Sequence, residues 1–571
     1  MQLAAVFALC SGARASSDPP SSCSAIVSAY STLANAYQVG DNNVLKRLLA
    51  PDFILTYTTG ANESASDTIA DWSQSLQRSP DLSVTLRIIN HSCSNRSGTF
   101  RITLTQRYTQ GGHKVVDIQN EDDAWQLRHG TWLLAAAHTN SETTFLDGKQ
   151  ISSVVAPKQI SESERQSLVT ELRSQAWPIQ SATPDGNQTD LQPLNRALGG
   201  ASLIGMGEAT HGTSEFFSLK DRIFRLLVRR KGFTVLAMEM PWISSLALDK
   251  YITSGQGDLR KVLAESFAVW DNQEVLQLFQ WMRAYNAQPG QHARLRLVGI
   301  DMQGNTAMMV HLILDFLGSL DPSEVAPEKE KLECLNSYNR GAWSGAEGKK
   351  LVEQCASATN DVVNLFEKLK PSVPSERYLV AQHTAVVAHQ LVCMYRYPYS
   401  LDQDDTRDHQ MATNVQWFAD TAFPNAKIAV WAHNGHVIAA NASSGLVTMG
   451  EYLRRALGIN YYAIGFAFDY GSVSVISNVN GTSKPTYFSA PPPSAVESIL
   501  GQVPLSIYGL NLGVISPNSM LGRFLSSPQP MRNTEGETSD TETLNILNLK
   551  ASFDTLIFVR ESHPARSLEI K

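Results

Sequence analysis

A chain of 571 residues is too long for one ordinary core, so several domains are expected. Its hydrophobic fraction of 43% and charged fraction of 18% are ordinary for a folded soluble protein, and no apolar run is long enough to span a bilayer. The formal charge of −7, with no long run of one sign, argues against a nucleic-acid partner and slightly favours a cationic over an anionic ligand.

The first residues run Leu3 to Leu9 as an apolar stretch, followed by Ala13-Arg14-Ala15. That is the outline of a signal peptide with a small-residue cleavage site, so residues 1–15 are expected to be an export signal and the mature protein to be secreted or periplasmic. Cysteine usage fits an oxidising compartment. Cys10 falls within the signal, Cys23 and Cys93 share the N-terminal region, Cys334 and Cys355 lie close together, and Cys393 is left over. The two local pairs suit disulfides, inert thiols being the alternative. There is no Cys-x-x-Cys for a structural zinc.

Residues 16–22 read as a polar tether. From 24 to 50, Ile26, Tyr30, Leu33, Tyr37 and then Leu45, Leu48 and Leu49 recur at helical spacing, with Gly40 to Asn43 dividing two helices and Pro51 closing the second. Strand-like runs follow at 53–57, 83–89, 99–104 and 131–136, which makes an α+β plan. Residues 149–160 lack a period and are expected to be a linker. Ser161 with Glu164 opens a capping box for a helix over 161–175. From Asp190 onward, apolar strand-like runs alternate with helical segments, predicting an α/β domain with a mainly parallel sheet. Residues 528–543 read as an exposed loop before a last strand at Thr555 to Val559.

Four of these strands end in ionisable groups. Residues 201–206 lead into Glu208 and His211 between Gly207 and Gly212, ahead of a helix with Phe216, Leu219, Ile223, Leu226 and Leu227 on one stripe. Residues 233–238 end in Glu239, 295–300 in Asp301, and 427–432 in His433-Asn434-Gly435-His436. Ligands of α/β sheets bind beyond the carboxyl ends of the strands, so a parallel sheet gathers three histidines and three carboxylates in one crevice. A lone histidine or glutamate at a strand end is usually structural or solvated; four such ends together point to a functional site. No complete Gly-x-Ser-x-Gly elbow is present, and no cysteine adjoins these histidines. A histidine oriented by a carboxylate can deprotonate water near neutral pH, while a second protonates a leaving oxygen or binds an oxyanion. The rival is a metal site on His433 and His436 with Glu208, Glu239 or His211, although no His-Glu-x-x-His occurs.

The residues 205–217, Gly232 to Glu239, Trp270 with Glu274, Trp281-Met282-Arg283, Gly299 to Gln303, Arg407-Asp408 with Met411 and Asn414, Trp431 to Val437 and Met449-Gly450 resemble, in order, the erythromycin esterase family. The resemblance spans about residues 160–565 and implies a hydrolase domain over 161–571 with a helical insert at about 305–400, over the cleft, where Tyr395, Tyr397 and Tyr399 either line the cleft or, the reading favoured here, are ordinary packing or surface aromatics. It implies hydrolysis of the lactone ester of 14-membered macrolides by histidine-activated water, on a small-molecule ester and without a cofactor. His211 would be the base, Glu208 and Glu239 its orienting carboxylates, His433 and His436 the groups that bind or protonate substrate, and Asp301 and Arg407 supports. A metal-dependent hydrolase and a non-catalytic secreted binding protein are the alternatives. Residues 24–147, with Leu45 to Phe53 and Asp123-Ala124-Trp125 before Gly130-Thr131-Trp132, resemble the NTF2-like (SnoaL-like) cone fold, a module given no catalytic role here.

Overall fold

A computed structural model of the protein describes residues 21–568, apart from 111, 159, 290–293, 340–342, 344, 401, 441–446, 477–482 and 535–543. The expected export signal and Cys10 lie outside the described residues. The chain forms two compact units, one reaching to Thr144 apart from the short turns 59–61 and 111–113, the other running from Phe145 onward.

In the first unit, helices Ser21–Val39 and Asn42–Leu48 are separated where expected, because Asp41 leaves the helix to accept the N–H groups of Asn43 and Val44. The second helix stops at Leu48, before the proline, because Leu49 onward pairs into a sheet. The strands are β1 (Leu49–Thr56), β2 (Asn62–Ser64), β3 (Ser83–Cys93), β4 (Ser97–Gln110), β5 (His113–Arg128) and β6 (Thr131–Leu146), in the order β2-β1-β6-β5-β4-β3; β7 (Lys149–Val155) comes after the boundary at Phe145. The stretch expected as linker thus carries a strand; its polar residues alternate without an apolar face, which hid it. Ile26, Tyr30, Leu33, Phe53, Phe100, Ile102 and Trp125 form the core, and a disulfide joins Cys23 to Cys93.

After β7 the second unit continues with the helix Glu162–Gln175, closed at its start by the reciprocal Ser161–Glu164 capping box. Its sheet contains β8 (Trp177–Pro178), β9 (Leu203–Met206), β10 (Phe233–Pro241), β11 (Arg296–Asp301), β12 (Lys427–Trp431), β13 (Tyr461–Ile476), β14 (Ser483–Phe488), β15 (Ile507–Asn511) and β18 (Thr555–Ser562). Two further strands, β16 (Gln529–Arg532) and β17 (Leu544–Leu547), pair separately. The run β11-β10-β12-β9-β13-β18 is parallel throughout. Beyond it the sheet is mixed, since β14 turns back on β13, and β15 runs against both β18 and β8.

The parallel strands are buried on both faces, as helical crossovers require. Leu203, Val235, Ala237, Ile428 and Val430 point to one core, while Ile204, Met206, Leu236, Met238, Ala429 and Trp431 point to the other, the strict alternation of the pleat. Helices Ser214–Lys231 and Gln273–Asn286 cover the second face; Thr306–Leu320, Gly345–Lys368, Glu376–Ser400 and Arg407–Trp417 contribute to the first. The insert carries the Cys334–Cys355 disulfide, leaving Cys393 buried as a thiol. Tyr395 packs between Tyr338 and Trp343, both at 5.4 Å between ring centres, the favoured reading of the two; the side chain of Tyr399 lies outside those described. The region expected as an exposed loop from 528 starts as a buried strand, and its Thr534 N–H donates to the carbonyl of Ala209. Met531 and Ile546 bury the hairpin, a signal masked by the polar residues between its strands.

Inside the first unit, Tyr30 Oη donates to Asp123 Oδ2 at 2.7 Å and accepts from Trp125 Nε1 at 2.9 Å. Burial pushes Glu121 up to about 7 and Asp123 well above the ordinary carboxylate range, with the Glu121 charge adding to the latter. Carboxyls raised on folding favour the fold fully below their unfolded value, near 4.5 for Glu121, and withdraw that support as pH rises through about 7. Hydrogen-exchange protection of β5, corrected for intrinsic rates, is therefore expected to fall between pH 5 and 8 by roughly the linkage of one carboxyl, and Glu121→Gln to flatten that fall.

Candidate active site

Four neighbouring parallel strands end level with one another, since Met206 pairs with Trp431, Trp431 with Met238, and Met238 with Gly299. Every strand-end residue singled out in the sequence therefore emerges at the same edge. The first loop is drawn tight against its neighbours. A Cβ on Gly207 would lie 2.2 Å from Asn434 Oδ1, and Asn434 itself bonds both ways to the backbone of Phe466 on β13. The Asn434 N–H also donates to the carbonyl of Glu208 at 2.8 Å.

Glu208 is fully buried behind His211. Its Oε1 accepts from His211 Nδ1 at 2.6 Å, and its Oε2 accepts from Lys220 Nζ at 2.6 Å. Lys220, also buried, donates to the carbonyl of Ala432 and sits 4.5 Å above the Trp431 ring. Burial pulls this lysine down to about 8, against the support of Glu208. For His211, burial works against the charged ring, but the Glu208 hydrogen bond and the Glu239 charge outweigh it and raise its pKa above 6.5. With Nδ1 given to Glu208, Nε2 is left for the cavity.

Glu239 holds the opposite side. Its Oε1 accepts from Arg407 Nη2 at 2.9 Å and lies 3.2 Å from His436 Nε2; its Oε2 accepts the His433 N–H at 2.8 Å. Burial opposes its ionisation, yet the charges of His436 and Arg407 keep it well below the usual carboxylate range. Arg407 Nε and Nη2 also donate to the buried Asp301, Nε at 3.1 Å. His436 Nδ1 faces both oxygens of Asp408, at 2.9 and 3.1 Å. Burial is again outweighed, by Asp408 and then Glu239, and the ring is pushed up to about 10. The charged ring donates to Glu239; the neutral ring instead accepts from Arg407 Nη1, 2.9 Å away.

His433 is held differently. Its Nδ1 accepts from the Gly435 N–H at 3.3 Å, so the neutral ring carries its proton on Nε2, a buried atom with no hydrogen-bond partner. Burial, and then the nearness of His211 at 5.0 Å between ring centres, push it down to about 3. The site thus holds three imidazoles in three states: one tied to a carboxylate, one neutral donor and one favouring its cation.

These groups border a cavity of about 520 Å³. His211, Glu239, Gln303, Arg407, His433 and His436 form its polar side, and Phe267 to Trp270 with Ile476 its apolar side. Trp270 meets His211 edge-on at 5.7 Å and donates Nε1 to the carbonyl of Glu239. Of the seven residues expected at the site, five border the cavity, while Glu208 and Asp301 lie directly behind His211 and Arg407. A larger cavity, about 850 Å³, opens by Arg296 at the amino end of β11; its charged residues include the Arg296–Asp249 and Arg377–Asp315 pairs, and it has no imidazole.

Lys220 and Asp408 were not assigned from the sequence. The signal for Lys220 was present: it falls on the stripe of Phe216, Phe217, Ile223, Phe224 and Leu227, where a cation needs a buried partner. Among the described residues, no group of three or more His, Cys, Asp or Glu side chains is arranged to hold a metal ion. Around the cavity only His211 Nε2 and His433 Nε2 are uncommitted, fewer than the three protein ligands of a catalytic zinc.

Residues 228–562 match the family described as erythromycin esterase, a stretch that includes Glu239, Asp301, Arg407, His433 and His436 and begins after Glu208 and His211. YbfO of Bacillus subtilis (strain 168), provisionally named a hydrolase, is 26% identical over 352 residues, covering 57% of this chain and 77% of that protein. Erythromycin esterase type II of Escherichia coli is 22% identical over 325 residues, covering 52% and 76%. The crystal structure of a Bacillus cereus protein, 25% identical, aligns with a TM-score of 0.64 over 72% of this chain and 100% of its own.

Removing Lys220 leaves a buried carboxylate without its cation. Lys220→Met is expected to cost about 3 kcal/mol, read from the urea midpoint, as for other broken buried pairs. Because Lys220 lowers the His211 pKa, the same variant should also raise the pH at which His211 loses its proton.

Proposed function

The chain belongs to the erythromycin esterase family, and from that premise we propose that it is a carboxylic ester hydrolase in which His211 activates water against a lactone ester, as in 14-membered macrolides. The observation that carries this reading is the Glu208–His211 pair, with a carboxylate on Nδ1 and the free Nε2 toward the cavity. Glu208 and Glu239 are engaged at both oxygens, so neither is available as the base.

In the proposed reaction, His211 Nε2 takes a proton from water as its oxygen bonds to the ester carbonyl carbon. The carbonyl oxygen becomes an oxyanion, and the unpartnered Nε2–H of His433 is a donor already desolvated for it. Collapse breaks the carbon–oxygen bond of the ester, and the leaving oxygen takes the proton that His211 Nε2 accepted from water, since His436 is engaged at both ring nitrogens. Asp408 and Glu239 hold that ring, and Asp301 holds Arg407 against Glu239. His211 is then again unprotonated, and the acid product releases its own proton to solvent as it leaves. The wall from Phe267 to Trp270 suits a hydrocarbon-rich substrate next to this polar floor. We further read residues 24–147 as an NTF2-like module without a catalytic part, and the protein as exported, which the two disulfides support.

Incubation with a panel of macrolides and simple esters, followed by mass spectrometry, should show products heavier by one water, and His211→Ala should abolish them. Near wild-type turnover by that variant would defeat the assignment. The base works unprotonated and its pKa is raised, so kcat/KM should climb with pH through a midpoint above 6.5 and decline near 10 as His436 loses its proton and with it the bond to Glu239. Activity is expected to survive a strong chelator; its loss would favour the metal-dependent alternative.

A further inference from the structure

We propose that the segment His563–Leu568 is a strap that positions His211, working through the buried carboxylate of Glu274; this rests on the reading of His211 as the base. The segment runs between two loops that frame the cavity and bonds to each through its backbone. On one side, Ala565 N–H donates to the carbonyl of Gly212 at 2.8 Å, Ser214 N–H donates to the carbonyl of His563 at 2.9 Å, and Pro564 bridges to Thr213. On the other, Gln273 N–H donates to the carbonyl of Arg566 at 2.8 Å, Leu568 N–H donates to that of Asp271 at 3.2 Å, and Ser567 bridges to Asn272.

Glu274 ties all three pieces together. It is buried, and Oε1 accepts from Ser214 Oγ at 2.6 Å and from Arg566 Nε at 3.0 Å, while Oε2 accepts the Arg566 N–H at 3.2 Å. Ser214 opens the helix three residues after His211, and Glu274 opens the helix four residues after Trp270. The strap therefore sets the distance between the His211 loop and the Trp270 wall, whose rings already touch edge to face. It also backs the chain at Gly212, whose carbonyl accepts from Ala565 and from Ser474 on β13. Neither Arg566 nor Glu274 borders the cavity, so their effect on the reaction passes through the placement of His211. Arg566 has a side chain 61% exposed, so replacing it removes the guanidinium fork without opening a hole in the core.

The test uses the full chain with Arg566→Ala, Arg566→Lys and Glu274→Gln, each checked for folding by thermal unfolding. Ester hydrolysis is measured alongside the pH dependence of His211 modification by diethyl pyrocarbonate, read by peptide mass spectrometry. A base displaced by a fraction of an ångström should lose about tenfold or more in kcat while KM changes by less than about twofold. The midpoint of His211 modification should fall toward 6.5 as its hydrogen bond to Glu208 loosens, and Arg566→Lys should recover part of both effects. An unchanged midpoint in Arg566→Ala overturns the proposal, whatever happens to kcat, as does a change confined to KM. If Glu274→Gln does not fold, the Arg566 variants decide alone. The modification is measured without substrate, so a protein that hydrolyses no ester defeats the functional reading while the strap still stands or falls on the midpoint.

Discussion

Charge taken out of water has to find a counter-charge, and the carboxyl end of this parallel sheet is organised around that requirement. Glu239 receives Arg407, His436 and the His433 amide on its two oxygens; Glu208 receives Lys220 and His211. Asp301 and Asp408 complete the set by fixing Arg407 and His436 from behind. Each imidazole inherits its protonation preference from the neighbour it is given. His211 is tied to Glu208 through Nδ1, His436 is flanked by two carboxylates and leans toward its cation, and His433, whose ring bonds neither carboxylate, stays neutral with Nε2 unpartnered. The different protonation preferences of the three rings follow from burial and charge placement.

The level ends of β9, β12, β10 and β11 make this possible. A register slip of one residue in any of them would turn its end residue to the other face. The glycine at 207 and the strap behind Gly212 act at the same scale, admitting the Asn434 amide on one side and backing the His211 loop on the other. The N-terminal unit, by contrast, buries Asp123 against the Tyr30 hydroxyl, which in turn accepts from the Trp125 indole, and Glu121 against Thr139.

Much of the site was legible because its residues follow apolar strand runs directly, where the pleat and the parallel crossover rule leave few places for them to go. Contacts supplied from the side were harder to see. Lys220 sits in a stretch of helix where Asp221, Arg222 and Arg225 are also buried in ion pairs, so polarity there no longer marks the outer face. Glu274 and Arg566 are almost three hundred residues apart in sequence, and nothing local links them. The strand Lys149–Val155 has no apolar side to announce it, and the hairpin of β16 and β17 shows too short an apolar pattern on each strand. Tyr395, for which the sequence favours ordinary packing over a place in the cleft, does pack against Tyr338 and Trp343.

The most direct measurement is a crystal structure of the protein with a phosphonate that mimics the tetrahedral species of ester hydrolysis. The account requires one phosphonate oxygen within about 3.2 Å of His211 Nε2 and another within the same reach of His433 Nε2, with Glu208 still on His211 Nδ1. A phosphonate bound away from these two nitrogens, or a His211 ring swung off Glu208 when it binds, would contradict the account.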